Sequence, residues 1–281
     1  MIASTSVWRR FLRNKGAVVG LAVLSVIVAV AVLAPVIYPA SPWDLAGPPF
    51  RRPLTPGFAF GTDTMGRDIV GGIIHGARVS LLIGFVATLC AVIIGVALGA
   101  VAGYHGGVVD DLLMRLTEFF QTIPSFVFAV VLVAIFTPGI QSIVVAIAVV
   151  SWPPVARLVR GEFLSLRTRE FVQSSVTVGH SSLHIIFREI LPNAMSPIIV
   201  AASLMIATAI LVESSLSFLG LGDPNLMSWG YMIGAARTVV RTAWWISFFP
   251  GVAILLTVLA LNLVGEGLSD ALNPRLSREA R

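Results

Sequence analysis

The sequence predicts an all-α membrane protein with six transmembrane helices, and three observations carry that prediction. Of 281 residues, 57% are hydrophobic and 12% charged, with a mean hydropathy of +0.93; soluble domains are roughly 45–50% apolar and 25% charged. Five charge-free stretches, 16–43, 79–109, 119–156, 190–212 and 242–265, are each long enough to cross ~30 Å of hydrocarbon at ~1.5 Å per residue. The longest holds Thr137-Pro138-Gly139 near its middle, a chain-reversing turn that divides it into two short spans.

Taken in order, residues 1–15 form a basic N-terminus in which Arg9, Arg10, Arg13 and Lys15 stand with no acid. The positive-inside rule puts it in the cytoplasm. The first span, 16–38, far exceeds the ~7–15 apolar residues of a signal sequence and precedes five more spans, so it reads as retained. Residues 39–77 form an extracytoplasmic loop rich in proline (Pro42, Pro48, Pro49, Pro53, Pro56). Residues 78–268 hold the other five spans, with an inner loop at 157–193 and an outer loop at 220–245. A cytoplasmic tail, 269–281, follows. Six crossings return the C-terminus to the side of the N-terminus, and the segments on that side hold thirteen basic residues against six outside. The six tryptophans (Trp8, Trp43, Trp152, Trp229, Trp244, Trp245) fall at or near predicted span ends, where indoles seek the interface.

The composition excludes several chemistries. Lys15 is the one lysine, and Asn14-Lys15-Gly16 does not match the phosphate-binding pattern GxxxxGK[ST]. A single cysteine, Cys90 in an apolar run, removes disulfide frameworks and thiolate metal clusters. The pI near 10.3 does not indicate nucleic acid, because the arginines are scattered at the ends of apolar runs. His180 and His184 have a metal-ligand spacing but lack a nearby cysteine or HExxH glutamate, whereas His75 and His105 read as isolated in loops. No internal repeat is evident.

Within the inner loop, Thr168 can cap a short helix with Glu170 in its first turn and Phe171, Val172, Ser175 and Val176 on neighbouring faces. Gly179 permits a left-handed stop. Ser181 or Ser182 can start a second helix, which Pro192 helps to end. Residue pattern alone leaves two readings: a projection that another protein grips, and an amphipathic loop lying on the membrane. Glu213 is the one acid expected within a span and needs a partner. With Ser217 it either lines a path or outer gate, or braces the structure through hydrogen bonds to Ser214, Ser215 or a neighbouring span. Gly95, Gly99 and Gly103 mark one face of the second span for close helix packing, a pattern that Gly16 and Gly20 repeat more weakly. The outer segment with Gly61, Thr62, Asp63, Gly66, Arg67 and Asp68, and the one around Trp229, are polar, glycine-punctuated candidates for shaping a docking surface.

The run Arg169-Glu170-Phe171-Val172-Gln173-Ser174-Ser175, then Gly179, then Ile190-Leu191-Pro192-Asn193, resembles the EAA loop of ABC-importer permeases. FGTDTMGRD (60–68), GARVSLLIG (76–84), AGYHGG (102–107), ARLVRGE (156–162), LSFLGLG (216–222), SWG (228–230) and NLVGEGLSDALNPR (262–275) are similar to the C-type permeases of dipeptide, oligopeptide and nickel importers. The resemblance implies a type I importer architecture in a bacterial inner membrane. It implies a second, homologous permease, two cytoplasmic ATPases that bind the ATP and Mg, and an extracytoplasmic substrate-binding protein, with no cofactor on this chain. It also makes 170–179 a coupling helix seated on an ATPase, with Leu191 and Pro192 closing the motif. The substrate expected is a di- or oligopeptide, with a nickel chelate or another small solute as the alternative. The sequence departs from the family at Gln173 (usually Glu), Ser174 and Ser175 (usually Ala), Glu189 (often His), and Glu266, Ser269 and Asn273 (commonly Asp, Arg and Asp). Two other classes stand beside this one: a secondary carrier with Glu213 as its ion site, and an intramembrane hydrolase, which the lack of a GxSxG elbow and of histidines at membrane depth disfavours.

Overall fold

The structure is a computed structural model that describes residues 3–272. Asn273, Arg275, Arg278 and Arg281 of the expected tail lie outside the described residues. A first helix, α1 (Ala3–Arg13), leads into α2 (Lys15–Val32), which is capped by the Asn14 side chain accepting from the Ala17 N–H. Pro35 forces a break, and one further turn, α3 (Ala34–Ile37), ends the segment. Residues 39–68 are irregular, and α4 (Ile69–His105) follows, capped by Asp68. Then come α5 (Gly107–Thr122), α6 (Ser125–Ile135), α7 (Ile140–Leu166), α8 (Glu170–Thr177) and α9 (Ser182–His184). A π-turn, Ile185–Ile190, runs without interruption into α10 (Leu191–Phe218), and the short α11 (Trp229–Ala235) and long α12 (Trp245–Leu272) complete the chain.

Five of these helical segments are long and apolar enough to cross a membrane by themselves, and α5 with α6 pass the same test only when taken together, which makes up to six. Helix α6 has 11 residues, about 16 Å at ~1.5 Å per residue, and cannot span alone. Its partner α5 bends from it by 84° at Ile123-Pro124. The pair nevertheless follows α7 throughout: Asp110 of α5 meets Arg160, Phe120 stacks edge-on to Trp152 at 5.3 Å, and Ala129 and Val133 of α6 share a core with Ile143, Ala146 and Ile147. Residue numbers fall along α7 as they rise along α5 and α6, so the pair runs antiparallel to it.

The same comparison fixes the other directions. Gly95, Gly99 and Gly103 of α4 abut Val155, Val159 and Phe163, so α4 and α7 are parallel. A methyl group at Gly103 would stand 2.6 Å from Phe163 Cβ. In lipid, where helix association rests on close packing rather than on expelling water, that approach is what the small-residue face supplies. Gly20 lies equally close to Leu263, and Asn14 Nδ2 donates to Asp270 Oδ2 at 3.0 Å, so α2 and α12 are antiparallel. The N-terminal helix, the 167–181 loop and the end of α12 thus gather at one end of the bundle. Residues 39–68, the α6–α7 turn and α11 gather at the other.

Several expectations are corrected. Helix α4 starts ten residues before Val79 and carries Arg78, which is exposed, and His75, whose Nε2 lies 2.9 Å from the Tyr38 carbonyl. His105 likewise lies on α4, so the histidines are not confined to loops. The helix that leads up to Phe119 begins at Gly107, with Asp110 paired to Arg160 and Asp111, Arg115 and Glu118 exposed along it, so the charges ahead of Phe119 do not interrupt the helix. Helix α7 runs through Pro153 and Pro154 without a break and continues ten residues past Ala156. Pro192 ends no helix: the π-turn absorbs it, with the Leu191 N–H donating to the Ile186 carbonyl. Trp152 sits in the middle of α7 and Trp229 is buried, so neither is an interface anchor.

Candidate functional site

At the end of the bundle that holds the termini, α8 is an exposed rod fixed at its base. Arg169, not Thr168, occupies the N-cap position, and the Thr168 hydroxyl returns to the Ser165 carbonyl at 3.3 Å. Val172 and Ser175 are buried, and Val172 packs into a cluster with Val159, Phe163, Ile185, Ile186 and Ile190 that Leu191 joins. Phe171 and Val176 face outward, beside the exposed Val178, Leu183 and Phe187. The stop is a left-handed turn: Gly179 has φ +86°, its N–H donates to the Val176 carbonyl at 3.0 Å, and the His180 N–H donates to the Ser175 carbonyl at 3.2 Å. Ser181 then caps α9 by accepting from the His184 N–H. Ser174 and Glu170 stay on the exposed face, the Ser174 hydroxyl donating to the Glu170 carbonyl at 2.9 Å, and Pro192 is exposed.

Three contacts tie this rod to the spans. Gln173 Nε2 donates to the Arg167 carbonyl at 2.8 Å, a bond a carboxylate lacks the proton to make. Arg167 Nη1 in turn donates to the Gly103 and Tyr104 carbonyls at 3.2 and 3.4 Å, a cation on the C-terminus of α4. Seven residues earlier, Arg160 grips Asp110 on α5. Sequence reasoning passed over Asp110, because its partner is fifty residues away and no local pattern announces the pair.

At the opposite end, Glu213 is the hub of a buried knot. Its Oε1 accepts from Ser217 Oγ at 2.9 Å and Ser228 Oγ at 2.8 Å, and its Oε2 from Ser214 Oγ at 3.3 Å. Ser228 also accepts from the Tyr231 N–H as the cap of α11. A methyl on Gly230 would stand 2.6 Å from the Ser214 Cα, so α11 lies directly on α10. The Trp229 N–H and Nε1 donate to Ser80 Oγ and the Ile73 carbonyl, which adds α4 to the knot. The carboxylate faces hydroxyls rather than open space, which is bracing geometry.

The outer segment is self-braced as well. Thr62 is fully buried, accepting from the Arg51 N–H and donating to the Pro48 carbonyl. Asp63 Oδ1 accepts from the Met65 and Arg67 N–H groups, both at 2.8 Å. Gly61 and Gly66 take positive φ in its turns. The Arg67 guanidinium stacks over Trp43, and Asp68 accepts from the Tyr38 hydroxyl at 3.1 Å. Thr62 and Trp229 therefore present no surface to a docking partner in this conformation; Leu45, Phe50, Arg51, Arg52, Leu54 and Met65 are among the exposed side chains there. The His180 and His184 rings stack at 4.2 Å, yet among the described residues no three His, Cys, Asp or Glu side chains group as metal ligands.

Comparison with known proteins gives this arrangement its relatives. Residues 5–50 match the N-terminal transmembrane domain of oligopeptide transport permease C. The di/tripeptide transport system permease protein DppC of Pseudomonas aeruginosa is 41% identical over 280 residues, covering 97% of this chain and 92% of the relative. The oligopeptide transport system permease protein OppC of Bacillus subtilis is 37% identical over 282 residues, covering 98% and 92%. Among solved structures, the inward-facing MetNI methionine ABC transporter aligns with a TM-score of 0.61 at 18% identity, covering 73% of this chain and 98% of that one, a likeness of fold. Residues 95–278, holding α5 to α12 and the exposed rod between α7 and α10, match the binding-protein-dependent transport system inner membrane component, and the chain belongs to that family of multi-pass inner-membrane proteins.

Proposed function

We propose that this chain is a permease subunit of an ATP-driven importer of di- or oligopeptides, lining the translocation path together with a second, homologous permease. The two relatives are named as peptide permeases, and the identity runs nearly the full length of the chain. In this reading the N- and C-termini are cytoplasmic, consistent with thirteen basic residues on that side and six on the other. ATP and Mg bind to two separate ATPase subunits, this chain carries no catalysis of its own, and an extracytoplasmic binding protein delivers the solute.

The observation that carries the reading is α8. It projects an apolar ridge, Phe171 and Val176, while Val172 locks its other face into the core. A helix so held transmits displacement rather than absorbing it. In this role Glu170 to Ser175 seat in an ATPase cleft, Gly179 sets the angle of the rod, and Leu191 with Pro192 connects it to α10. The carrier alternative draws no support from Glu213, whose carboxylate already accepts from three serine hydroxyls.

The test is mass spectrometry of what co-purifies with the tagged chain in mild detergent. Recovery of a second permease and ATPase subunits in fixed ratio, with a binding protein loaded with peptide, is the expected result. A chain that emerges alone and still catalyses uptake after ATP depletion overturns the reading.

A further inference from the structure

At the bend between α5 and α6 the bundle opens a cavity of about 400 Å³, within the roughly 300–1,000 Å³ of small-ligand sites. Its walls are the last turn of α5, the Ile123-Pro124 break, the first turn of α6 and the middles of α7 and α10. Ser151 on that wall lies about 16 Å along α7 from Ile140, half-way through ~30 Å of hydrocarbon.

Two features set this cavity apart from a packing defect. First, polar side chains converge on it at mid-membrane depth: Gln121, Ser125, Ser151 and Thr208. Thr208 returns its hydroxyl to the Leu204 carbonyl, leaving the Gln121 amide and the Ser125 and Ser151 hydroxyls without a protein partner among the described residues. Polar groups at such depth face an aqueous or solute pathway rather than lipid. Second, the helix is interrupted there, and non-helical backbone within a bilayer is tolerated where it is buried in protein or lines a cavity. The remaining wall is apolar, with Phe120 and Met205 prominent.

The chemistry of the lining selects the ligand. No Asp, Glu, Lys, Arg, His or Cys lines the cavity, so it offers neither a counter-charge for an ion nor a donor set for a metal. An amide and a hydroxyl each donate and accept, which matches the N–H and C=O of a peptide unit whatever side chains it carries.

We infer that this cavity is the chain's own contact surface for a peptide in transit. Gln121 and Ser151 take its backbone amides, and Phe120 and Met205 take its side chains. The inference deepens the peptide-import reading and rests on it.

The test uses the assembled transporter with its binding protein in proteoliposomes and radiolabelled tri-alanine as probe. In the double variant Gln121→Leu with Ser151→Val, uptake per ATP hydrolysed is expected to fall about tenfold, as loss of ordinary hydrogen-bonded contacts gives. Binding-protein-stimulated ATP hydrolysis stays near wild type, and Gln121→Asn retains most of the uptake. A photo-cross-linker, Phe126→p-benzoylphenylalanine, in an otherwise native chain is expected to label tri-alanine during turnover, which supports the inference even if the double variant assembles poorly. Wild-type uptake by a well-assembled double variant, or a cross-linker that captures only the second permease in every nucleotide state, overturns the inference alone. A wild-type transporter that hydrolyses ATP yet takes up no tri-alanine overturns the peptide reading itself.

Discussion

Asp110 and Arg160 face each other in a two-pronged ion pair, Nε to Oδ1 at 2.5 Å and Nη2 to Oδ2 at 2.6 Å. The pair clamps the start of the bent α5–α6 crossing to the last turns of α7, the helix that leads directly into the exposed rod. Its Asp110 end is buried and its Arg160 end half-exposed.

Removing one partner of such a pair costs more than an exposed bridge and less than a fully buried one. Asp110→Ala is expected to destabilise the assembled protein by about 2 kcal/mol, between the two regimes. The charge swap, Asp110→Arg with Arg160→Asp, restores part of that loss. Thermal unfolding of the purified complex in detergent measures both, and a swap no better than the single variants would mean that packing rather than charge holds the joint.

Gly179 tests the angle of the rod. A Cβ there meets no atom, so the cost of a side chain is conformational alone. Gly179→Asn, which tolerates the left-handed region, is expected to keep binding-protein-stimulated ATP hydrolysis. Gly179→Pro, whose ring fixes φ near −65°, is expected to abolish it. Equal activity in the two variants would remove the lever from the mechanism.

Gln173 makes a bond that a glutamate carboxylate at that position could not. As a donor to the Arg167 carbonyl it stitches the first turn of α8 to the end of α7. Gln173→Glu forfeits that bond, a loss of about 1 kcal/mol. Hydrogen–deuterium exchange is expected to rise across Glu170–Thr177 and to stay unchanged in α4.

Glu213 separates bracing from ion transport. Gln retains an oxygen that accepts from both Ser217 and Ser228, so Glu213→Gln is expected to transport and assemble nearly as wild type. Glu213→Ala leaves three buried hydroxyls short of their acceptor and frees α11, a loss of roughly 2–3 kcal/mol. Trp229 emission, dominated by its buried contacts, shifts to the red in the alanine variant. An inactive glutamine variant that assembles normally would reopen the ion-site reading.

Local signals in the sequence determined a definite part of this protein. Apolar run lengths specify a multi-pass membrane chain of five to six spans, because each crossing must satisfy its own backbone over a set thickness of hydrocarbon. Gly179 announces its left-handed turn, Thr137-Pro138-Gly139 its reversal, and the Gly95-Gly99-Gly103 face its tight neighbour, since each of these demands a residue type at one position. Tertiary structure decided the rest. Whether Arg78 and Asp110 interrupt a helix depends on what they face: one is exposed and the other meets Arg160, so α4 and α5 extend past charges where a run-length argument stops. That Ser228 joins Ser214 and Ser217 on Glu213, and that Gln121 and Ser151 share one cavity, follows from α11 folding onto α10 and from the Pro124 bend. Electrostatic and hydrogen-bond partners are chosen by proximity in space, and spacing along the chain carries no record of it.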